Sequence, residues 1–230
     1  MKRATAAAAL MLLAMGAGLA GAAEQEGSAP QDLAQRRPPR PNDVYVAVLP
    51  FWGVAEGQST VARACVMLNL MRHGFRIAPK GSASVRAAAR ATDVAVRRDP
   101  KYEPLARMEV EDAARVGRAL GADWVIYGQI GELRTESVGG EILPQKVGVL
   151  DLRLWLIEAR SGEVLFWRRT RDTVPGGGPW PAKASAIERR LLTKTINEIF
   201  EDISAAMPDH YVGAEVTPEM VLELVTAMER

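Results

Sequence analysis

The chain has 230 residues, 48% of them hydrophobic and 25% charged, with a formal net charge of +1 at pH 7. That composition excludes an acidic disordered chain and offers no basic field for nucleic acid, and it leaves enough length for one good-sized domain or two small ones. One cysteine among 230 residues excludes an intramolecular disulfide, so stability has to come from a packed core.

The amino terminus has the three parts of a secretory signal peptide. Lys2 and Arg3 form a positive start, Ala6 to Ala20 is an apolar run, and Ala20-Gly21-Ala22 is an A-x-A cleavage site, placing the cut after Ala22 or Ala23. The run is short and rich in Ala and Gly for a membrane span, and no lipobox cysteine follows it. The expectation is a cleaved leader over 1–23 and a soluble exported protein, with no stable membrane span. Losing Lys2 and Arg3 leaves 27 basic against 28 acidic residues. Residues 24–42, with Pro30, Pro38, Pro39, Pro41 and the arginines Arg36, Arg37 and Arg40, read as a Pro/Arg-rich disordered tether. Residues 43–230 are then expected to form a single α/β domain with C-terminal helices.

That domain opens at "DVYVAVLPF", apolar on both faces and so predicted to be a central buried strand. A helix follows over about Ser59 to Arg72, capped by Ser59 or Thr60 and ended by His73-Gly74. Cys65 lies on it among Val61, Val66, Leu68 and Leu70, which predicts a buried, unreactive thiol. "FRIAP" is a second short strand, Ser82 to Val96 an Ala-rich helix, and "RRDPKYEP" a break. Glu109 to Leu120 is an amphipathic helix with Gly121 after it. Its carboxylates Glu109, Glu111 and Asp112 complement the helix dipole rather than form an acid–base pair. "ADWVIYGQIGEL" is a third strand and "RTESVGGEILPQ" a polar loop.

"VLDLRLWLIEARSGEVLFWRRT" reads as a β-hairpin. With Arg160, Ser161 and Gly162 as a three-residue loop, Gly162 takes a positive φ and the pairs are Ala159 with Glu163, Ile157 with Leu165, Trp155 with Trp167, and Arg153 with Arg169. Leu150, Leu152, Leu154, Leu156, Val164 and Phe166 then make an aliphatic core face. The other face carries Trp155, Trp167, Arg153, Arg169, Ile157 and Leu165, with Asp151 placed for a cross-strand ion pair. Two covers are open for that second face. One is the last helix of this chain, through Val221, Leu222, Leu224 and Val225. The other is a partner or a second copy, for which tryptophan and arginine are the usual anchors.

Gly176-Gly177-Gly178 follows the hairpin, but Pro175, Pro179 and Pro181 remove donors that an anion would need. Pro181 to Met207 is a long helix with Ile187, Leu191, Ile196, Ile199, Phe200 and Ile203 on one stripe, and Thr217-Pro218-Glu219 starts a final helix to about Met228. The order β-α-β-α-α-β-β-β-α-α predicts an α/β fold: a mixed sheet with a parallel βαβ start, an antiparallel meander and packed helices.

Chemical signatures are missing. His73 and His210 have no partner at metal-ligand spacing, and no G-x-S-x-G, P-loop or G-x-G-x-x-G occurs. The expectation is a protein that is not an enzyme, with no catalytic, metal or cofactor residues and no cofactor.

Three stretches in succession carry a resemblance: "VYVAVLPF", "VGRALGADWVIYGQI" and "LDLRLWLIEARSGEVLFWRR". Together they resemble the superfamily of bacterial envelope proteins that includes the curli secretion subunit CsgG, the penicillin-binding-protein activator LpoB and the TolB amino-terminal domain, over roughly Val44 to Met207. The resemblance implies an anticodon-binding-domain-like α/β fold and a non-catalytic role through protein–protein contact or homo-oligomeric assembly in the envelope. CsgG- and LpoB-like members are typically lipoproteins, and this chain lacks the lipobox. The pore former also needs long membrane hairpins, whereas the polar loop Arg134 to Gln145 is too short for two strands of about 9–11 residues. The reading is a periplasmic protein that binds an envelope partner or itself and no nucleic acid. The alternative is a small-molecule binder or enzyme with a cryptic pocket on the same fold.

Overall fold

The computed structural model describes residues 43–78, 85, 87–88, 97–98, 106–107, 109–138, 145–176, 183–205 and 214–228. The leader, the tether up to 42, His210 and most of the Ala-rich segment lie outside them, as do 177–181 of the Gly/Pro loop and both ends, Pro181 and Met207, of the expected long helix.

The strands are β1 (Tyr45–Val48), β2 (Arg76–Ile77), β3 (Arg97–Arg98), β4 (Ala106–Arg107), β5 (Trp124–Val138), β6 (Gln145–Glu158) and β7 (Val164–Pro175). The helices are α1 (Glu56–Arg72), α2 (Val110–Ala119), α3 (Ala184–Ala205) and α4 (Pro218–Met228). Five strands form one sheet in the order β2-β1-β5-β6-β7. β1 runs parallel to β2 and β5, and β5, β6 and β7 form an antiparallel meander. This is the mixed α/β sheet that the sequence predicts. The short ladder of β3 with β4 falls where a break was expected.

Each face of the sheet has its own core. Val46, Val48, Ile126, Leu150, Leu152, Leu154, Leu156 and Phe166 share one cluster with Leu70 of α1, Leu191 and Phe200 of α3, and Val221 of α4. On the opposite face Leu49, Val125, Tyr127 and Ile157 pack with Ala113, Ala114 and Val116 of α2 and with Val85 and Ala88. β1 is thus buried on both faces apart from Tyr45, although it stands second from the sheet edge rather than at its centre.

Several local expectations need correcting. α1 starts at Glu56 behind Ala55, and neither Ser59 nor Thr60 caps it. The Ser59 hydroxyl accepts the Phe51 N–H at 2.9 Å, fixing the β1 exit, and Thr60 donates back to the Glu56 carbonyl. The end at His73 and Gly74 is as predicted, with φ of 77° at Gly74. His73 is buried and stacks on Phe200, so its ring serves packing. β5 runs on through Val138, and Arg134 to Val138 pair with Gln145 to Val149, so both ends of the supposed polar loop belong to the β5–β6 ladder, and 139–144 lie outside the described residues. At the far end, Thr217 accepts the Met220 N–H at 3.4 Å ahead of Pro218, which is the predicted cap.

Between α1 and α3 lies a buried polar seam. The Cys65 thiol is 3.6 Å from the Thr193 hydroxyl, and Asn69, Asn197 and Thr193 are all buried.

Candidate partner surface

The β6–β7 hairpin keeps most of the expected pairing by an unexpected route. Its loop has four residues, Ala159 to Gly162, closed by Gly162 N–H to the Glu158 carbonyl at 2.9 Å and Glu158 N–H to the Glu163 carbonyl at 2.8 Å. Gly162 has φ of 80°, a conformation that glycine adopts without a Cβ clash. The longer loop shifts the register by one, so Ile157 faces Val164. A bulge at Leu165 then takes up the extra residue and restores the register, so that Leu156 faces Phe166, Trp155 faces Trp167 and Arg153 faces Arg169.

The bulge also moves Leu165. It was expected on the Trp face, but it is buried in the aliphatic cluster with Leu156 and Phe166. Ile157 remains on the Trp face but is fully buried there under α2. Neither residue belongs to an accessible surface.

Nor does the C-terminal helix cover this face. Val221 is buried in the aliphatic-side cluster, with Leu224 and Val225 packed against it, and α4 rests on α1 and α3. Leu222 points outward, 46% exposed. Among the described residues the cover on the Trp face comes from α2, with Val85 and Ala88 beside it, and their cluster includes Ile157 and Tyr127 but not Trp167. The close approach of α2 depends on Gly117: a Cβ there would lie 2.0 Å from Val125 Cγ2.

An aromatic row crosses the edge of that cover. Trp52 stacks on Tyr127 with ring centroids 6.4 Å apart, and Tyr127 meets Trp155 at 5.4 Å. Tyr127 is buried, whereas Trp155 and Trp167 are each half-buried. Trp52 and Tyr127 are contributions that the hairpin alone does not reveal: Tyr127 arrives through the pairing of β5 with β6, and Trp52 through its parallel bridge to Gln129 of β5.

Beyond the aromatics comes a charged row. Gln129, Arg153 and Arg169 lie side by side on β5, β6 and β7. The Asp151 carboxylate takes two bonds from Arg169, at 3.3 and 3.1 Å, and one from Arg171 at 3.3 Å. The Arg169 guanidinium holds the Asp151 carboxyl below the ordinary carboxylate range against the opposing effect of burial, and Arg171 adds to it. Arg153 is half-buried and makes no hydrogen bond or ion pair among the described residues. Farther out, Arg134 pairs with Glu132 and Glu136 at 2.6 and 2.5 Å.

The surface therefore offers flat aromatic area beside guanidinium groups, which suits contact with a protein. Among the described residues no group of three His, Cys, Asp or Glu side chains is placed to hold a metal ion, and no helix is long and apolar enough to cross a membrane.

No protein-family model matches the chain, and no curated protein matches it. Solved structures do. The lipoprotein GNA1162 from Neisseria meningitidis is similar at 14% identity and a TM-score of 0.43, covering 70% of this chain and 99% of that one. The LpoB C-terminal domain from Salmonella enterica matches at 11% identity and a TM-score of 0.38, covering 62% of this chain and 91% of that one. A PelC dodecamer from Paraburkholderia phytofirmans matches at 15% identity and a TM-score of 0.39, covering 74% and 92%. LpoB, named above on the motifs, is thus among the structures that this chain is similar to.

Proposed function

We propose that this chain is an exported protein of the bacterial envelope that acts without catalysis, by binding a protein partner or assembling with itself. Residues 1–23 are a cleaved leader, 24–42 a tether and 43–230 a single α/β domain working in the periplasm. The observation that supports this is the partial cover of the Trp face. α2 packs on Ile157 and Tyr127, while Trp155 and Trp167 are half-buried beside Arg153, which has no ion pair among the described residues. Half-buried tryptophan next to arginine is the composition of interface anchors.

The test compares the wild type with Trp167→Ala and Arg153→Glu. Cross-linking in the native envelope and light scattering of the purified chain report contact and assembly. Both variants should keep a cooperative thermal transition, with at most a modest loss for Trp167→Ala, and lose the cross-linked or assembled species. If both species persist in both variants, the binding-face reading is wrong. Mass spectrometry of the exported chain checks the leader, and an intact Met1 or an acyl adduct would overturn that part.

A further inference from the structure

We propose that Trp52 is a further contact residue of the Trp face and that the buried Ser59 hydroxyl is the residue that positions it. This rests on the binding-face reading and extends that face from the hairpin to the chain just beyond β1.

β1 and β5 pair in step, Val46 with Trp124, Ala47 with Val125 and Val48 with Ile126. Continued in step, Phe51 would meet Gln129 and Trp52 would meet Ile130. Instead Trp52 bridges Gln129. The hydrogen bonds show where the extra residue enters. Leu49 N–H donates to the Ile126 carbonyl at 2.9 Å, so in a regular ladder the Gly128 carbonyl would next take the Phe51 N–H. It takes the Trp52 N–H, at 3.1 Å, and the Ile130 N–H closes on the Trp52 carbonyl at 2.9 Å. The chain after β1 therefore carries a bulge at Pro50-Phe51, one residue longer than the stretch of β5 beside it.

That extra residue exchanges two side chains between faces. Leu49 belongs to the cluster on the Trp face, so strict alternation would put Phe51 on that face and Trp52 on the aliphatic one. With the bulge, Phe51 is buried in the aliphatic-side cluster and Trp52 packs on the Trp side, stacked on Tyr127. Tyr127 is buried between Trp52 and Trp155, both half-buried, so the two outer rings of the row offer surface that the middle one does not.

Three residues hold the exchange in place. The Phe51 N–H, turned away from β5, is accepted by the Ser59 hydroxyl at 2.9 Å, and Ser59 is 2% exposed. The Phe51 ring lies against Gly128, where a Cβ would be 2.0 Å from the ring's Cε1. Gly53 has φ of 90°, and a Cβ there would be 2.2 Å from the Ile130 carbonyl oxygen. Core packing alone does not call for this, because a regular strand already buries alternate residues. Bulges recur beside functional sites, where they re-aim a side chain. Here the side chain re-aimed is a tryptophan, brought into line with Gln129 and Trp155 on the face already rich in interface anchors.

The test uses the full exported chain with three variants: Trp52→Ala, Ser59→Ala, and Ala64→Gly as a control that weakens α1 without touching the bulge. Indole N–H resonances of isotope-labelled tryptophan report ring positions. In Ser59→Ala the Trp52 and Trp155 signals should move while that of Trp124 stays, and in Ala64→Gly neither Trp52 nor Trp155 should move. The cross-linked or assembled species should fall about tenfold or more in Trp52→Ala and about fivefold in Ser59→Ala, and stay within about twofold of wild type in Ala64→Gly. Unmoved Trp52 and Trp155 signals in Ser59→Ala, the same movement in Ala64→Gly, or an unchanged amount of the species despite the movement overturns the positioning role. A wild-type amount of the species in Trp52→Ala overturns the contact role. If Trp167→Ala still loses the species alongside any of these results, the binding-face reading stands and only this inference falls. If the wild type itself forms no such species, the reading falls and the inference with it.

Discussion

Asn69 on α1 donates from Nδ2 to Oδ1 of Asn197 on α3 across 2.8 Å, and Asn197 in turn donates to the Val216 carbonyl at 2.9 Å. Two amides thus link both long helices to the segment that leads into α4. Asn69 Nδ2 also reaches the Cys65 carbonyl at 3.0 Å, while Asn69 Oδ1 has no partner among the described residues. Asn197→Ala removes the acceptor for one buried group and the donor to another, and leaving such groups unpaired costs about 1–3 kcal/mol. Urea unfolding should show that loss as a lower midpoint at unchanged slope. Adding Asn69→Ala should cost less than its own single change, because the pair acts as a unit.

Ile157→Ala and Trp167→Ala should differ in kind. Ile157 is fully buried under α2, so its truncation should cost about 2–5 kcal/mol. Trp167 is half-buried and lies outside the cluster that α2 forms with the sheet, and its loss should fall well short of the roughly 3–5 kcal/mol of a core tryptophan. Thermal unfolding of the two variants side by side checks this, and equal losses would mean that Trp167 is covered.

The Cys65 thiol should be inert. Burial pushes it up to about 12, outweighing the Thr193 hydroxyl bond that acts the other way. At pH 8 the thiolate is a minute fraction, and the side chain is fully enclosed. Alkylation of the native protein should therefore proceed only as fast as the chain opens. A reaction as fast as that of a free thiol at pH 8 would contradict this.

Acid should loosen the outer hairpin before the rest. The carboxyls of Asp151 and Asp172 both lie below their ordinary value, Asp151 through Arg169 and Arg171. At Asp172 burial works against ionisation, but Lys194, the Thr173 N–H and Thr195 together prevail. A depressed carboxyl contributes stability above its unfolded pKa and loses it as pH falls through the folded value. The loss should therefore begin near pH 4 and deepen below it. Lys194 is raised, chiefly by its bond to Asp172, so its contribution holds below its ordinary value and fades only in strong alkali. Asp151→Asn should flatten the acid limb in a pH series of unfolding midpoints.

Gly117→Ala should lift α2 from the sheet. The new methyl would overlap Val125, whose β-branched side chain has little room to turn. Expected are a lower midpoint and greater solvent exposure of Tyr127 and Trp155, read by fluorescence.

Periodicity carried most of the architecture. The Leu150 to Leu156 alternation and the Ile187 to Ile203 stripe each encode which side is buried, and both are buried as expected. What periodicity lacks is a choice of partner. The apolar residues of α4 satisfy a helix core as well as a sheet face, and only three-dimensional packing assigns Val221 to the α1 and α3 side. The true cover, α2, was visible as a helix from Glu109, but nothing local in its sequence says where it lies. Tyr127 was hidden for a similar reason, since a strand's neighbours in a sheet are set by register at long range.

The bulge at Leu165 has an evolutionary corollary. The four-residue loop takes Ala159 out of β6 and shifts the register by one, and the bulge shifts it back. The bulge lies beyond the pair that closes the turn, so deleting Leu165 alone would leave the turn in place and make the ladder regular, with Phe166 still opposite Leu156 and Trp167 still opposite Trp155. The cost would be one buried side chain and the local twist, not the face on which Trp167 lies. Relatives of this chain should therefore vary in length here one residue at a time, with the Trp155–Trp167 pair kept.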